Sequence, residues 1–457
     1  MSKCPFHPKP NKTKASILAT LLFKRRSWLD GLYERSYKMQ MGRVKMPGFD
    51  LYVVNDPKEI RRIMVDEVRE FPKSELLHEL LKPLLGESIF TTNGDVWKKQ
   101  RELLRPSFEM TRITKVFDLM SEAAFDLMKK FEKYKDGDVI EVDEQMTFVT
   151  ADVIFRTIMS QKLDEFKGKE VLDAFAIVQE ESLRTGLRKM FCFPSWLSWL
   201  LGEKKRMNAG SIIRKTLSDI IKPRYDNYEK DNGKYQDILS SLLGVVDVQT
   251  DKRFSFDEIL DQVSMLFLAG HETTASSLTW TLYLLALFQD DQEKAYKEII
   301  EISKNEKFKI GDIKQFKYLT NIFKESLRLY PPVGYFARET KNDKQIRDKF
   351  VKKGSGVVVS PWLVHRHEKF WVNPNDFDPN RYDDKNNILK DTYFPFGMGE
   401  RICIGQGFAM QEAILILANI LRVYKLELKE NFVPDIVGRL TIRSANGMKI
   451  RFYKRKS

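Results

Sequence analysis

One cysteine sits in a run whose neighbours all have a use: Phe396-Gly397-Met398-Gly399-Glu400-Arg401-Ile402-Cys403-Ile404-Gly405. Glycine reaches backbone conformations closed to other residues, so the run predicts a tight loop able to lie beneath a flat cofactor. Helical patterning follows from Phe408 to Leu421. That sets the Cys403 sulfur near a helix N-terminus, where free N–H groups stabilise a thiolate. Arg401, two residues earlier, can reach a carboxylate on the same ligand. The bland alternative is a buried structural cysteine, the usual fate of a single Cys. It leaves the aromatic, the glycines and the arginine unexplained.

A second run, Ala269-Gly270-His271-Glu272-Thr273-Thr274, interrupts an apolar helical pattern. A helical Thr can bond the carbonyl four residues back, here that of Ala269, and so loosen the helix. Small residues at 269 and 270 leave room for a small ligand, and Glu272 with Thr273 forms an acid–alcohol pair suited to proton delivery. The competing reading is a kinked core helix whose polar residues face another helix. Glu325-Ser-Leu-Arg328 puts opposite charges on one helix face, and Pro331-Pro332 then ends that helix. Trp97-Lys-Lys-Gln-Arg101 spaces an indole and a guanidinium by one turn, both able to bind a carboxylate.

These runs resemble the motifs of the cytochrome P450 superfamily: F-x-x-G-x-R-x-C-x-G, A-G-x-E-T-T, E-x-x-R and W-x-x-x-R. They occur in the family's order, and the resemblance extends from about residue 45 to the end of the chain. It implies a mainly α fold with small β-sheets (α+β), a triangular prism. A haem b, iron protoporphyrin IX, would lie between the long central helix and the cysteine-loop helix. Cys403 would then be the metal ligand, with Phe396 near its sulfur. Arg401, Trp97, Arg101 and, by position, Arg338 would bind the haem propionates. Glu272 and Thr273 would be the catalytic pair. Glu325 and Arg328, joined by Arg381, would hold the cysteine loop; Asn380 stands where the family usually has a glutamate.

The implied activity is that of a haem-thiolate monooxygenase inserting one oxygen atom from O2 into a small molecule. Phe90, Ala269, Val333, Tyr335, Leu440 and Thr441 resemble segments that line the distal pocket in relatives. They are mostly apolar, which predicts a lipophilic substrate. No G-x-G-x-x-G unit or flavin domain follows Cys403, so the expected electron donors are a separate ferredoxin or flavodoxin and its reductase. Such carriers are usually acidic, and Lys98, Lys99 and Arg105 offer a basic docking face. A peroxide-dependent peroxygenase or isomerase of the same fold is the alternative, which the Glu272–Thr273 pair disfavours. A non-enzymatic haem sensor would need a regulatory domain for which no spare chain is visible.

The elements expected to position these residues are mostly helical up to about residue 330. Phe49–Val54 alternates as a strand, and Asp56-Pro57 opens a helix over 58–65. Ser255 and Glu258 have the spacing of a capping box, and Phe254 and Ile259 that of a hydrophobic staple. The central helix they start continues to about Asp290, roughly 50 Å long at the usual rise. Short strands are expected within 347–360. Asn446-Gly447 predicts the turn of a terminal hairpin spanning Arg439–Tyr453. His365 and His367 read as a surface loop.

Composition agrees with a globular enzyme: 42% of the 457 residues are hydrophobic and 12% aromatic. Lys and Arg number 77 against 64 Asp and Glu, a formal charge of +13. That excess is either a solvated surface or a face for an acidic partner or anionic membrane. No zinc-finger spacing or aromatic RNA-binding signature suggests nucleic acid. Three cysteines, at 4, 192 and 403, make no disulfide framework, which predicts a reducing, cytoplasmic setting. The apolar run Ala15–Phe23 is too short to cross a bilayer, which takes about 20 residues. It predicts an amphipathic helix packed on the domain or touching a membrane surface. Residues 1–45 are otherwise unassigned, and 46–457 read as one domain. Met190–Leu201, dense in aromatics and leucine, is either helix packing or an entrance facing lipid.

Overall fold

The longest helix runs Phe256–Leu287 in a computed structural model. The structure describes residues 4–13, 27–46, 49–166, 168–190, 192–231, 233–247, 250–305, 307–384 and 388–455. The expected capping box starts this helix: the Ser255 hydroxyl accepts the Glu258 N–H at 3.3 Å, and Glu258 Oε2 accepts the Ser255 N–H at 2.8 Å. Phe254 and Ile259 are both buried beside it. The helix stops short of Asp290, because Phe288 leaves helical geometry (φ −107°, ψ 82°) and a new helix begins at Gln289.

Other helices pack around this axis because it is apolar on nearly all sides. Val142–Met159, Lys204–Asp226, Lys317–Leu329 and Gln406–Val423 all pack against it. Gly270 serves one of these contacts. A Cβ there would lie 2.4 Å from Ile154 Cδ1, so the missing side chain lets the Val142–Met159 helix approach. The space expected at 270 for a small ligand is thus shared with Ile154.

The sheets are small, and the architecture is the expected α+β arrangement. Phe49–Val54 pairs antiparallel with Met41–Met46 and parallel with Gly356–Val359, which pairs antiparallel with Phe336–Glu339. Residues 27–46, unassigned by sequence, are therefore tied into the fold. Ser27 Oγ accepts the Gly438 N–H at 2.7 Å, and Trp28 packs against Gly334 and Gly438. The apolar run Ala15–Phe23 lies outside the described residues.

Two expectations are corrected. The terminal hairpin does not form: Ile442–Ser444 pairs with Ile436–Gly438, and Lys449–Lys454 pairs with Tyr424–Leu428 and Val139–Glu141. Gly447 does turn the chain at φ 74°, but each flanking strand finds a better partner elsewhere. His365 and His367 are buried, not a surface loop. His365 Nε2 accepts the Phe394 N–H at 3.0 Å, and its carbonyl accepts from Arg328 at 2.8 Å. His367 stacks on Phe370 at 4.4 Å.

Candidate active site

The cysteine loop closes on itself through short-range hydrogen bonds. Gly397 N–H donates to Phe394 O at 3.0 Å, Ile402 N–H to Gly399 O at 3.1 Å, and Cys403 N–H to Phe396 O at 2.9 Å. Gly397 and Gly399 adopt φ of 78° and 67°, and a Cβ on Gly399 would sit 2.7 Å from Met64 O. Gly405 has an ordinary φ of −88° and instead borders the Cys403 sulfur. It forms the N-cap of the helix Gln406–Val423. The Cys403 side chain is accessible, yet burial raises its thiol pKa against the pull of the Gly405 N–H and Arg101. Both facts hold together if the sulfur faces an internal space. A metal ion there would deprotonate it outright.

Four cations converge near this loop, opposed at Arg401 by the neighbouring Glu400 carboxylate. Arg401 donates to Phe71 O at 3.0 Å, Arg101 to Ile402 O at 2.8 Å, and Arg338 to Ala337 O at 2.9 Å. Lys73, which sequence reasoning missed, donates to Thr92 O at 2.8 Å. Lys73 Nζ and the Arg401 guanidinium both lie near the Trp97 ring, 5.7 and 5.6 Å from its centroid. The side-chain Nε atoms of Arg338 and Arg401 are buried without a hydrogen-bond partner. Burial, with Arg401, Arg338 and Arg101 close by, pushes Lys73 down to about 6. Burial and Arg401 push Arg338 to about 9.

Buried like charges with unfilled donors are costly unless an anion completes them. The cluster therefore fits a ligand carrying carboxylates, beside a sulfur that faces the interior. Those are the two requirements of haem. No signal local to Lys73 marks its role; it meets the cluster through an isolated bridge between Lys73 and Arg338.

The central helix carries the second motif. It is buried from Val263 to Ala286 except at Ala269, Gly270 and Thr273, which share one face and stay partly accessible. Thr273 Oγ1 donates to Ala269 O at 2.7 Å, the bond expected from sequence, while the helix stays α throughout. Glu272 points elsewhere. Arg443 holds it, Nε to Oε1 at 3.0 Å and Nη2 to Oε2 at 2.6 Å, and Arg443 Nη1 reaches Asp143 Oδ1 at 2.6 Å. Burial alone would raise the Glu272 pKa, but the charge and hydrogen bonds of Arg443 bring it below the ordinary value.

Of the expected pocket residues, Phe90, Ala269, Val333, Tyr335 and Leu440 remain partly accessible. Thr441 is buried, and its hydroxyl donates to Glu272. Trp28 meets the Tyr335 ring edge-on at 5.2 Å.

A buried network lies in the segments that precede the cysteine loop. Arg328 donates to both Glu325 oxygens at 2.8 and 2.7 Å, and Arg381 Nε donates to Glu325 Oε1 at 3.1 Å. The remaining Arg328 donors reach the carbonyls of His365 and Asp376. Asn380, in place of the family's glutamate, bonds Asp378 Oδ1 at 3.0 Å and leaves the triad intact.

Comparison with known proteins agrees with this geometry. A match to the family described as Cytochrome P450 spans residues 20–450. Human cytochrome P450 4V2 is 28% identical over 417 residues, covering 86% of this chain and 79% of its own. Cyclooctatin synthase of Streptomyces melanosporofaciens is 29% identical over 404 residues, 88% of this chain and 82% of its own. Cytokinin hydroxylase of Arabidopsis thaliana is 30% identical over 387 residues, 83% and 74%. With this match over nearly the whole length, the chain belongs to the cytochrome P450 family.

Proposed function

We propose that this enzyme inserts one oxygen atom from O2 into a lipophilic small molecule at a b-type haem, using electrons from separate carrier proteins. The family makes the chain an oxidoreductase of the haem-iron monooxygenase kind. One observation carries the assignment: Arg338 and part-buried Arg401 each have a buried Nε that finds no acceptor among the described residues, ahead of an accessible Cys403 in the chain. Cys403 Sγ would bind the iron. Arg401, Arg338, Arg101 and Lys73 would hold the propionates, with Trp97 near two of them and Phe396 capping the loop. Bound there, haem iron supplies the binding and reduction of O2 and the transfer of oxygen.

The chain's own residues govern protons and access. Thr273 Oγ1 holds a hydroxyl proton on the accessible face of the central helix. Glu272 is kept ionised by Arg443 and Thr441, so it takes up and passes on a proton only as that grip loosens. Phe90, Ala269, Val333, Tyr335 and Leu440 support an apolar pocket that excludes water from the reacting carbon, whereas Thr441 serves Glu272. The odd set of three cysteines supports a reducing compartment such as the cytoplasm. Among the described residues, no helix is long and apolar enough to cross a membrane.

The deciding experiment is the carbon monoxide difference spectrum of the dithionite-reduced protein, on wild type and Cys403→Ala. A strongly red-shifted Soret band lost in the variant supports thiolate ligation by Cys403. An unshifted band in folded wild type removes Cys403 as the axial ligand and the oxygen chemistry with it.

A further inference from the structure

One buried acid stands apart from Glu272: Glu412, on the helix Gln406–Val423 that follows Cys403. Its surroundings along the helix are apolar, with Ala413, Ile414, Leu415 and Ile416 all buried beside it. A carboxylate taken out of water without a cation is far more costly there than the neutral acid. Among the described residues, no element packed on this helix turns a charged group to Glu412, and the Thr274 hydroxyl alone bears on its proton. Burial raises the Glu412 pKa well above 4.5, and Thr274 offsets that only in part.

Thr274 shows the other half of the contact. Three hydroxyls of the central helix bond the carbonyl one turn back: Thr273 to Ala269 O at 2.7 Å, Ser277 to Thr273 O at 2.8 Å and Thr281 to Ser277 O at 2.7 Å. Such back-bonding is the usual recourse of a helical hydroxyl. Thr274 is buried and does not make it. Its hydroxyl and both Glu412 oxygens have no other hydrogen-bond partner among the described residues. A neutral carboxyl offers one donor and keeps an acceptor, so the two groups satisfy each other where each alone would be costly.

The neighbour of Thr274 gives the contact its consequence. Thr273 precedes it by one residue, about 100° round the helix and about 1.5 Å along it. A side chain that fixes Thr274 against Gln406–Val423 therefore also sets where the accessible face of the central helix points.

We propose that Glu412 is a positioning residue: through Thr274 it locks the central helix to the helix that follows Cys403, and so fixes the face bearing Ala269, Gly270 and Thr273. It does this as a neutral acid. The consequence for oxygen chemistry rests on the haem-thiolate reading, whereas the pairing with Thr274 does not.

The test is infrared spectroscopy of the full-length protein at mildly alkaline pH, as purified and then reduced with carbon monoxide bound. Wild type should show the C=O stretch of a protonated carboxyl, lost in Glu412→Gln. Thr274→Val should shift that band to higher frequency, because it removes the hydrogen bond. The C–O stretch of bound carbon monoxide should stay narrow in Glu412→Gln, whose amide still bonds Thr274. It should broaden in Glu412→Leu and in Thr274→Val, where the helix face is no longer held in one orientation. Should Glu412→Gln fail to fold, the shift in Thr274→Val still reads the contact. Three outcomes would overturn the proposal. Wild type could show no protonated carboxyl band that Glu412→Gln removes. The band could be indifferent to Thr274→Val, which would separate the two residues. Or the C–O stretch could be unchanged in both Glu412→Leu and Thr274→Val, which would leave Glu412 a filler of the core. The carboxyl band is read without carbon monoxide, so an unshifted Soret band would strike the haem-thiolate reading and leave the pairing to stand or fall by itself.

Discussion

Arg443 grips Glu272 with two hydrogen bonds, at 3.0 and 2.6 Å, although the two lie 171 positions apart in the chain. The pair fixes a carboxylate one residue from Thr273 and ties it through Asp143 to a neighbouring helix. Because the Glu272 pKa is below its ordinary 4.5, its ionisation stabilises the fold above that pH. This stability is lost as pH falls through the lowered value. In Arg443→Met burial is opposed only by His271 and the Thr441 hydrogen bond, and the Glu272 pKa rises. We expect a loss of about 3–5 kcal/mol in unfolding free energy at neutral pH, shrinking towards acid. We also expect the acid limb of the pH–rate profile to move upward. Denaturant titrations and turnover across pH check both. An unmoved acid limb would separate Glu272 from proton delivery.

Arg328 sits over Glu325 with neither side chain exposed, and its other donors hold the loop carbonyls of His365 and Asp376. Arg328→Ala leaves a buried carboxylate unpaired, at a cost of about 3–5 kcal/mol. Lysine cannot reproduce the fork, so Arg328→Lys should rescue little. The expected result is haem-poor, easily unfolded protein for both variants. Near-normal haem content in Arg328→Ala would show that the network does not carry the cysteine loop.

What could be read from the sequence was what depends on near neighbours. The Ser255–Glu258 box and the Thr273–Ala269 bond span three and four residues, so spacing alone predicts them. The cysteine loop is equally local. Lys73 and Arg443 were missed because their partners come from distant segments and nothing beside them announces a role. A charge inside the short strand Ile442–Ser444 was the one available hint for Arg443. The Asn446-Gly447 turn was real, but strand pairing is decided by the whole sheet, and Tyr424–Leu428 took the strand that a hairpin needed. His365 looked like surface because its neighbours are charged. The nearest of them, Arg366, is itself buried and stacked on Trp362 at 3.8 Å, whereas Glu368 and Lys369 are exposed.

If Lys73 holds a haem propionate, haem binding and proton uptake are coupled through it. In haem-free protein its pKa falls from 10.5 to about 6. Between those values the unfolded chain holds a proton that the folded chain lacks. Stability should therefore rise with pH across that window, by at most about 1.4 kcal/mol per unit from this group. Lys73→Met should flatten the rise and raise apoprotein stability near neutrality. It should also speed haem loss to an apomyoglobin acceptor, because a propionate partner is gone. Denaturation of wild-type and variant apoprotein across pH tests the first part; a rise of equal slope in the variant would mean that Lys73 is not its source.

The carrier that supplies electrons should be recognised by charge at the helix Gly94–Leu104 and the residues after it. Lys98 and Arg105 are exposed there, while Lys99 is engaged with Asp247 at 2.6 Å. Arg101, one turn from Lys98, reaches the backbone of Ile402 next to Cys403, so a carrier at this surface would lie close to the thiolate. Surface attraction of this kind is screened within about 10 Å at 0.1 M salt. Turnover with an acidic ferredoxin or flavodoxin should thus fall steeply as salt rises. Lys98→Glu/Arg105→Glu should raise the carrier KM about tenfold, with kcat at saturation and the carbon monoxide spectrum kept. Lys99→Glu should do less, since that lysine already has a carboxylate partner. A carrier KM indifferent both to salt and to the double substitution would move electron entry to another face of the molecule.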